Sequence, residues 1–249
     1  MLNTADHGHK ADADLVLAAM TVGAVAVASL AEMRDSDTSK HIQRVQRYVR
    51  TLAQRLQNLP QYAAVLTDPY IQVLFQSTPL YDMGTIGIPD RILLKPGRLT
   101  PAELAIMRSH TTLARDAIVN AEKSLGYKAE LLQTLKEICY SHQEKWDGSG
   151  YPQGLAGEQI PLSARLLAIS DVYDALIADR VYKAGVSHEQ AVGIIFGERG
   201  GHFDPDLVDA FMDIQDEFHA IAQRFADTAL DMQTKIEYMA NSIAEIAEI

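Results

Sequence analysis

The chain has 249 residues, enough for one large domain or two small ones, and a hydrophobic content of 47% supplies an ordinary buried core. A formal net charge of −11 excludes non-specific binding to nucleic-acid duplexes or anionic membranes, and makes an anionic substrate depend on a local cationic patch or on metal ions. The single cysteine, Cys139, leaves no disulfide framework; a reducing, cytoplasmic location is expected, with Cys139 as a small core residue.

Helical periodicity dominates, with no series of alternating strands, so the expected fold class is all-α. The first helix covers about Asp14 to Met33 and contains the longest uncharged run, Leu15 to Ala31. That run is rich in alanine and flanked by Asp12, Asp14 and Glu32, which argues for a buried or subunit-contacting helix over a membrane span. The N-terminus lacks the charged n-region of a signal peptide. A polar break at residues 34–39 supplies N-cap candidates for a second helix, about Ser39 to Leu56, with Ile42, Val45, Val49, Leu52 and Leu56 at steps of three and four.

A short helix near Pro69 to Ser77 precedes a stretch broken by Gly84, Gly87, Pro89, Pro96 and Gly97, which reads as an extended loop. Thr100-Pro101-Ala102-Glu103 is a strong helix start, and that helix carries His110 about two and a half turns in. The next helix, about Lys128 to Tyr140, ends at His142. It leads into the glycine-rich loop Trp146 to Pro152 and then a helix bearing Arg165, Asp171 and Asp174. Ser187 to Gln190 caps one further helix, and Phe203-Asp204-Pro205 precedes another. His202 and Asp204 read as helix-capping residues, His188 and His219 as surface residues. A seam from Ile214 through Phe218, Met232 and Met239 to Ile246 is close to a heptad repeat. It fits either a C-terminal helix packed on the bundle or a dimerisation or signalling helix. The expected division is 1–35, an N-terminal helix and regulatory remnant; 36–212, the main domain; and 213–249, an extended C-terminal amphipathic helix.

Histidines and aspartates recur at His41, Asp82, His110, His142 and Asp171, separated by 41, 28, 32 and 29 residues. A spacing near thirty is one helix out and one back, so such residues can meet at one level of a bundle. Histidine nitrogen with carboxylate oxygen suits zinc, iron or manganese, and a shared aspartate can bridge two ions that together activate water and hold a phosphate.

The blocks DSDTSKHIQRV, IGIPDRILLKPGRLTPAE, WDGSGYPQGLAGEQIP, ARLLAISDVYDALIADRVYK and GGHFDPDLVDAF, spread from Asp35 to Phe211, resemble the HD-GYP domains, a branch of the HD metal-dependent phosphohydrolases. The resemblance implies a helical bundle of the HD-domain type and a two- or three-metal centre, often iron, that hydrolyses cyclic di-GMP. It implies metal ligation by His41, Asp82 (bridging), His110, His142 and Asp171, with Asp37 near a third ion. Arg180 and Lys183 match positions that contact substrate. Gly150, Tyr151 and Pro152 match the signature loop, which can serve recognition of partners such as diguanylate cyclase domains.

Three positions depart from the family pattern. Tyr81 replaces a histidine ligand, Thr85 replaces a lysine that would assist catalysis, and Gln143 replaces a second histidine. A phenolate can bind ferric iron, but a neutral nitrogen ligand and a phosphate-neutralising cation are lost. The expectation is a binuclear iron centre, with manganese or another divalent metal as the alternative, extended by Gln143, and with weakened or altered hydrolysis of a cyclic dinucleotide or other phosphodiester. The rival expectation is a catalytically inactive module that binds nucleotide or a cyclase domain; a homodimer is compatible with either.

Overall fold

The structure, a computed structural model, describes residues 22–34, 40–126, 130–179 and 184–247. Asp37, Arg180, Lys183 and the first part of the N-terminal helix lie outside the described residues. Residues 22–34 form α1. They are followed by α2 (His41–Gln57), α3 (Pro60–Ala63), α4 (Asp68–Ser77), α5 (Asp90–Leu93), α6 (Pro101–Arg108), α7 (His110–Leu125) and α8 (Glu130–Ser141). The chain continues with α9 (Leu162–Ile177), α10 (His188–Gly197), α11 (Pro205–Arg224) and α12 (Ala229–Ala247). Among the described residues no strand forms, and no helix is long and apolar enough to cross a membrane.

The apolar stripe of α2 is the spine of the core. Val45, Tyr48, Val49, Leu52 and Leu56 are fully buried, and α2 packs on α4, α9 and α11. The Tyr48 ring stacks on Phe218 of α11 at 4.6 Å, and Tyr173 of α9 meets both rings edge-on at 5.3 Å. Such side chains contribute roughly 1.5–3 kcal/mol each on burial, so this cluster fixes α9 and α11 against α2. Cys139 is buried, as expected, between α7 and α8.

The Thr100–Glu103 capping box forms, and Lys95 reinforces it with its ammonium 2.6 Å from the Glu103 carboxylate. The helix it starts does not run through to His110. The Ser109 hydroxyl donates to the Ile106 carbonyl at 2.6 Å, the kind of local side-chain bond that competes with helix propagation, and α7 starts afresh at His110.

The expected extended loop after α4 is instead wound into 3-10 turns at Thr78–Leu80 and Met83–Gly87 and the short α5. Two contacts hold it in that form. Gly84 lies against the backbone of His110, where a Cβ would stand 1.9 Å from the carbonyl oxygen. Arg34, at the end of α1, donates to the carbonyls of Thr85 (3.1 Å), Ile86 and Ile88 (2.8 Å), and to Asp90.

The C-terminal seam is not one continuous helix. α11 runs past residue 213, kinks at Ile214 and ends at Arg224. Thr228 and Asp231 exchange hydrogen bonds to start α12, which resets the helix phase. Phe218 and Met239 of the seam are buried, whereas Ile236 is 46% exposed. His188 and His219 are also not simple surface residues. They are half-buried and stacked at 4.5 Å, with the Tyr173 hydroxyl 2.9 Å from His188 Nδ1.

Candidate metal centre

The site gathers where elements begin and end. His41 is the first residue of α2, His110 the first of α7, and His142 follows the last residue of α8. Asp82 sits between the two 3-10 turns, and Asp171 lies within α9. Asp82 Oδ1 is 3.4 Å from His110 Nε2 and 3.3 Å from His142 Nε2, and the two imidazole nitrogens are 3.4 Å apart.

Backbone carbonyls set both of these rings. His110 Nδ1 donates to the Met107 carbonyl at 2.8 Å, made reachable by the break at Ser109. His142 Nδ1 donates to the carbonyls of Ile138 and Cys139 at 3.0 and 3.2 Å. With Nδ1 carrying the hydrogen, each Nε2 presents a lone pair toward Asp82, the arrangement of a histidine ready to bind a metal. One donor atom from each of these three residues lies close enough to the others to share an ion, and imidazole nitrogen with carboxylate oxygen suits a transition metal, so the three fit a bound metal ion.

The competitor of a cation at this point is a proton held between His142 and Asp82. Burial raises the Asp82 pKa, but the His142 hydrogen bond and the charges of His142 and His110 outweigh it and hold the carboxyl below its ordinary value. Burial pushes His110 down and Asp82 does not fully compensate; His142 is also penalised by burial, but its bond to Asp82 carries it above the usual range. Asp171 is raised, first by burial and further by the charge of Asp82.

His41 and Asp171 come to the same site but face a different neighbour. Tyr81 Oη lies 2.7 Å from His41 Nε2 and donates to Asp171 Oδ1 at 2.7 Å, with the two partners 3.7 Å apart. Behind them, His41 Nδ1 is 2.8 Å from Asp174 Oδ2, and Arg44 grips Asp174 from the other side. Thr85, which departs from the family pattern, supplies no cation; its hydroxyl donates to the Asp82 carbonyl at 2.8 Å and tightens the turn. Gln143 enters through its backbone carbonyl, which accepts from Tyr151 N at 3.1 Å.

The glycine-rich loop lies against this site. At Gly150 a Cβ would stand 2.3 Å from Lys145 N, so the loop can close over residues 143–145 only with glycine there. The buried Glu144 carboxylate accepts from Gln153 N at 2.7 Å and Leu155 N at 3.1 Å. The Tyr151 ring meets His110 edge-on at 6.3 Å, and the Arg108 guanidinium lies 4.8 Å from its centre. Burial, with the charge of Asp82 adding, pushes the Tyr151 hydroxyl up to about 12. Pro152 is exposed.

Sequence reasoning missed Arg44, Arg108 and Glu144, and noted Asp174 only as a neighbour. A signal for two of them was available. Arg44 is three residues after His41 and Asp174 three after Asp171, so each shares a helix face with a ligand candidate.

The HD domain family model matches residues 25–207. A Vibrio cholerae protein described as a probable cyclic di-GMP phosphodiesterase is 54% identical over 202 residues, covering 81% of this chain and 46% of that protein. A second Vibrio cholerae protein, a cyclic di-GMP phosphodiesterase, is 50% identical, covering 84% of this chain and 42% of its own length. A third from the same organism, a 3'3'-cGAMP-specific phosphodiesterase, is 40% identical over 81% of this chain and 36% of its own length. The chain thus spans less than half the length of these relatives. With its helical architecture, its converging histidines and aspartates and the match across most of its length, the chain belongs to the HD domain family, in its HD-GYP branch.

Proposed function

We propose that the chain is a metal-dependent phosphodiesterase acting on a cyclic dinucleotide, with cyclic di-GMP as the first candidate and 3'3'-cGAMP as the second. The observation that carries this reading is the Asp82–His110–His142 cluster, with its lone pairs turned inward by backbone carbonyls. A divalent ion bound there supplies Lewis acidity toward a phosphoryl oxygen and lowers the pKa of water. The protein's own contribution is to fix both imidazoles, to keep Asp82 ionised, and to place Tyr151 with Arg108 at the edge of the site. The finer reading names iron, with manganese as the alternative, and a binuclear centre in which Asp82 is shared and His41 and Asp171 serve the second ion. In that reading Asp37 lies near a third ion, Gln143 adds a donor, and Arg180 and Lys183 hold the substrate. A cytoplasmic setting fits the free, buried Cys139. The exposed edge of the loop at Pro152 is a surface for a cyclase domain, and the C-terminal helices are a surface for a second copy.

One observation favours a second reading, a metal-binding module of little or no activity: Tyr81 stands between His41 and Asp171, and Thr85 adds no charge. The test is anaerobic purification, metal analysis, and hydrolysis assays with both dinucleotides. Hydrolysis that Asp82→Ala abolishes supports the enzyme. Metal-loaded protein that binds but does not cleave either dinucleotide supports the module.

A further inference from the structure

The two halves of the site differ in the spacing of their donors. Around Asp82, His110 and His142 the separations are 3.3–3.4 Å, and each imidazole has already committed its hydrogen to a backbone carbonyl. Ligands about 2.1 Å from a common ion stand roughly 3.0–3.4 Å from one another, so this spacing is the edge of a coordination polyhedron. Around Tyr81 the separations are 2.7 Å on both sides, an ordinary O–H···O or N···O hydrogen-bond length. The phenol oxygen stands in the gap between His41 Nε2 and Asp171 Oδ1, where an ion held by that pair would sit.

The ring has little room to withdraw. Tyr81 is 3% exposed, belongs to the main core cluster, and meets His142 edge-on at 5.2 Å. The space left beside it, lined by Glu32, His41, Asp82, Thr85 and residues of α1, measures about 20 Å³. A single water needs roughly 10–15 Å³ on such a scale, so this space takes about one water and not a solvated cation.

We propose that the Tyr81 hydroxyl closes the second metal position, and that this chain holds one ion, at Asp82, His110 and His142. The Tyr81 hydroxyl's contacts with His41 and Asp171 then do structurally what the second ion would do, tying α2 to α9. This inference rests on the metal-dependent reading above and replaces its binuclear detail with a single ion: Tyr81 is a positioning residue that sets metal number, not a ligand.

The experiment loads the full chain anaerobically with Fe(II), removes free metal on a desalting column, and measures iron per chain for the wild type, Tyr81→His and Tyr81→Phe. Visible spectra are recorded after oxidation in air. The expected result is about one iron per chain in the wild type, about two in Tyr81→His, and no iron–phenolate absorption in the wild type. Two irons in the wild type overturn the inference and leave the functional reading standing. So does a visible charge-transfer band that Tyr81→Phe removes, since it makes Tyr81 a ligand. One iron in a folded Tyr81→His overturns the assignment to Tyr81, and no iron in the wild type overturns both readings. The wild-type stoichiometry and spectrum decide the matter even if Tyr81→His does not fold.

Discussion

Arg44 holds Asp174 by two parallel hydrogen bonds, Nε to Oδ1 at 2.6 Å and Nη2 to Oδ2 at 2.9 Å, with both side chains buried. Its remaining nitrogen, Nη1, donates to the Phe225 carbonyl at 3.0 Å and to Asp227 at 2.9 Å, at the elbow between α11 and α12. Asp174 in turn reaches His41 Nδ1, so two side chains connect the C-terminal elbow to the candidate metal centre. Burial raises the Asp174 pKa, but His41 and Arg44 outweigh it and hold the carboxyl below its ordinary value. Removing Arg44 alone leaves a buried carboxylate with one partner gone, a change that costs about 3–5 kcal/mol. Arg44→Met is expected to lower the urea midpoint accordingly. Arg44→Met with Asp174→Asn is expected to recover part of the loss, since the unpaired charge is gone. Equal midpoints for the single and double variants would argue against the pair as the source.

Metal binding is expected to appear as stability, because an ion that binds only the folded chain adds about 2.7 kcal/mol at a hundred times its dissociation constant. Mn(II) added to metal-free protein should raise the thermal midpoint of the wild type. It should leave His142→Ala, which lacks a cluster donor, unchanged. A parallel rise in both would place the ion elsewhere.

Gly84 is expected to be intolerant of any side chain, because a Cβ there would stand 1.9 Å from the His110 carbonyl oxygen and 2.8 Å from its carbon. Gly84→Ala must push the turn carrying Asp82 away from α7, so its effect should fall on metal affinity as well as on stability. A weakening on the order of 10–100-fold, the usual consequence of disturbing the support of a ligand, is expected in a Mn(II) titration. Gly23, where a Cβ meets nothing within 4 Å, provides the control substitution to alanine.

His202 provides a pH-dependent term away from the centre. Burial, with Lys145 nearby, depresses its pKa from 6.5 to about 4, and its ring stacks on Phe203 at 4.2 Å. Because the folded value lies below the unfolded one, the unfolded chain binds more protons between these values. The stabilising contribution is therefore present above pH 6.5 and is lost as the pH falls toward 4. The stability difference between wild type and His202→Gln, followed by urea denaturation from pH 7.5 to 4.5, is expected to shrink on acidification. A difference constant across that range would refute the assignment.

Much of the architecture was legible in residue order alone. The stripe of α2, the Thr100–Glu103 and Ser187–Gln190 caps, and the placement of Cys139 follow from local periodicity and capping chemistry, which depend on near neighbours in the chain. The approximate thirty-residue spacing also indicated which histidines and aspartates could meet, and the structure brings His41, Asp82, His110, His142 and Asp171 to one region. Local pattern was a poor guide at element ends. Ser109 bonding back to Ile106 made His110 the start of a helix, and the Thr228–Asp231 cap broke the C-terminal seam.

Residue order by itself determined which donors were available: imidazoles, carboxylates and one phenol beside Asp82. Only the tertiary structure decided how they divide, because hydrogen bonds over long sequence separations set the orientation of each group. The Met107 and Ile138 carbonyls turn two imidazole lone pairs toward Asp82, while packing across the core places the Tyr81 hydroxyl between His41 and Asp171. The spacings around Asp82 are 3.3–3.4 Å and those around the Tyr81 hydroxyl 2.7 Å, and no pattern along the chain encodes a difference that small.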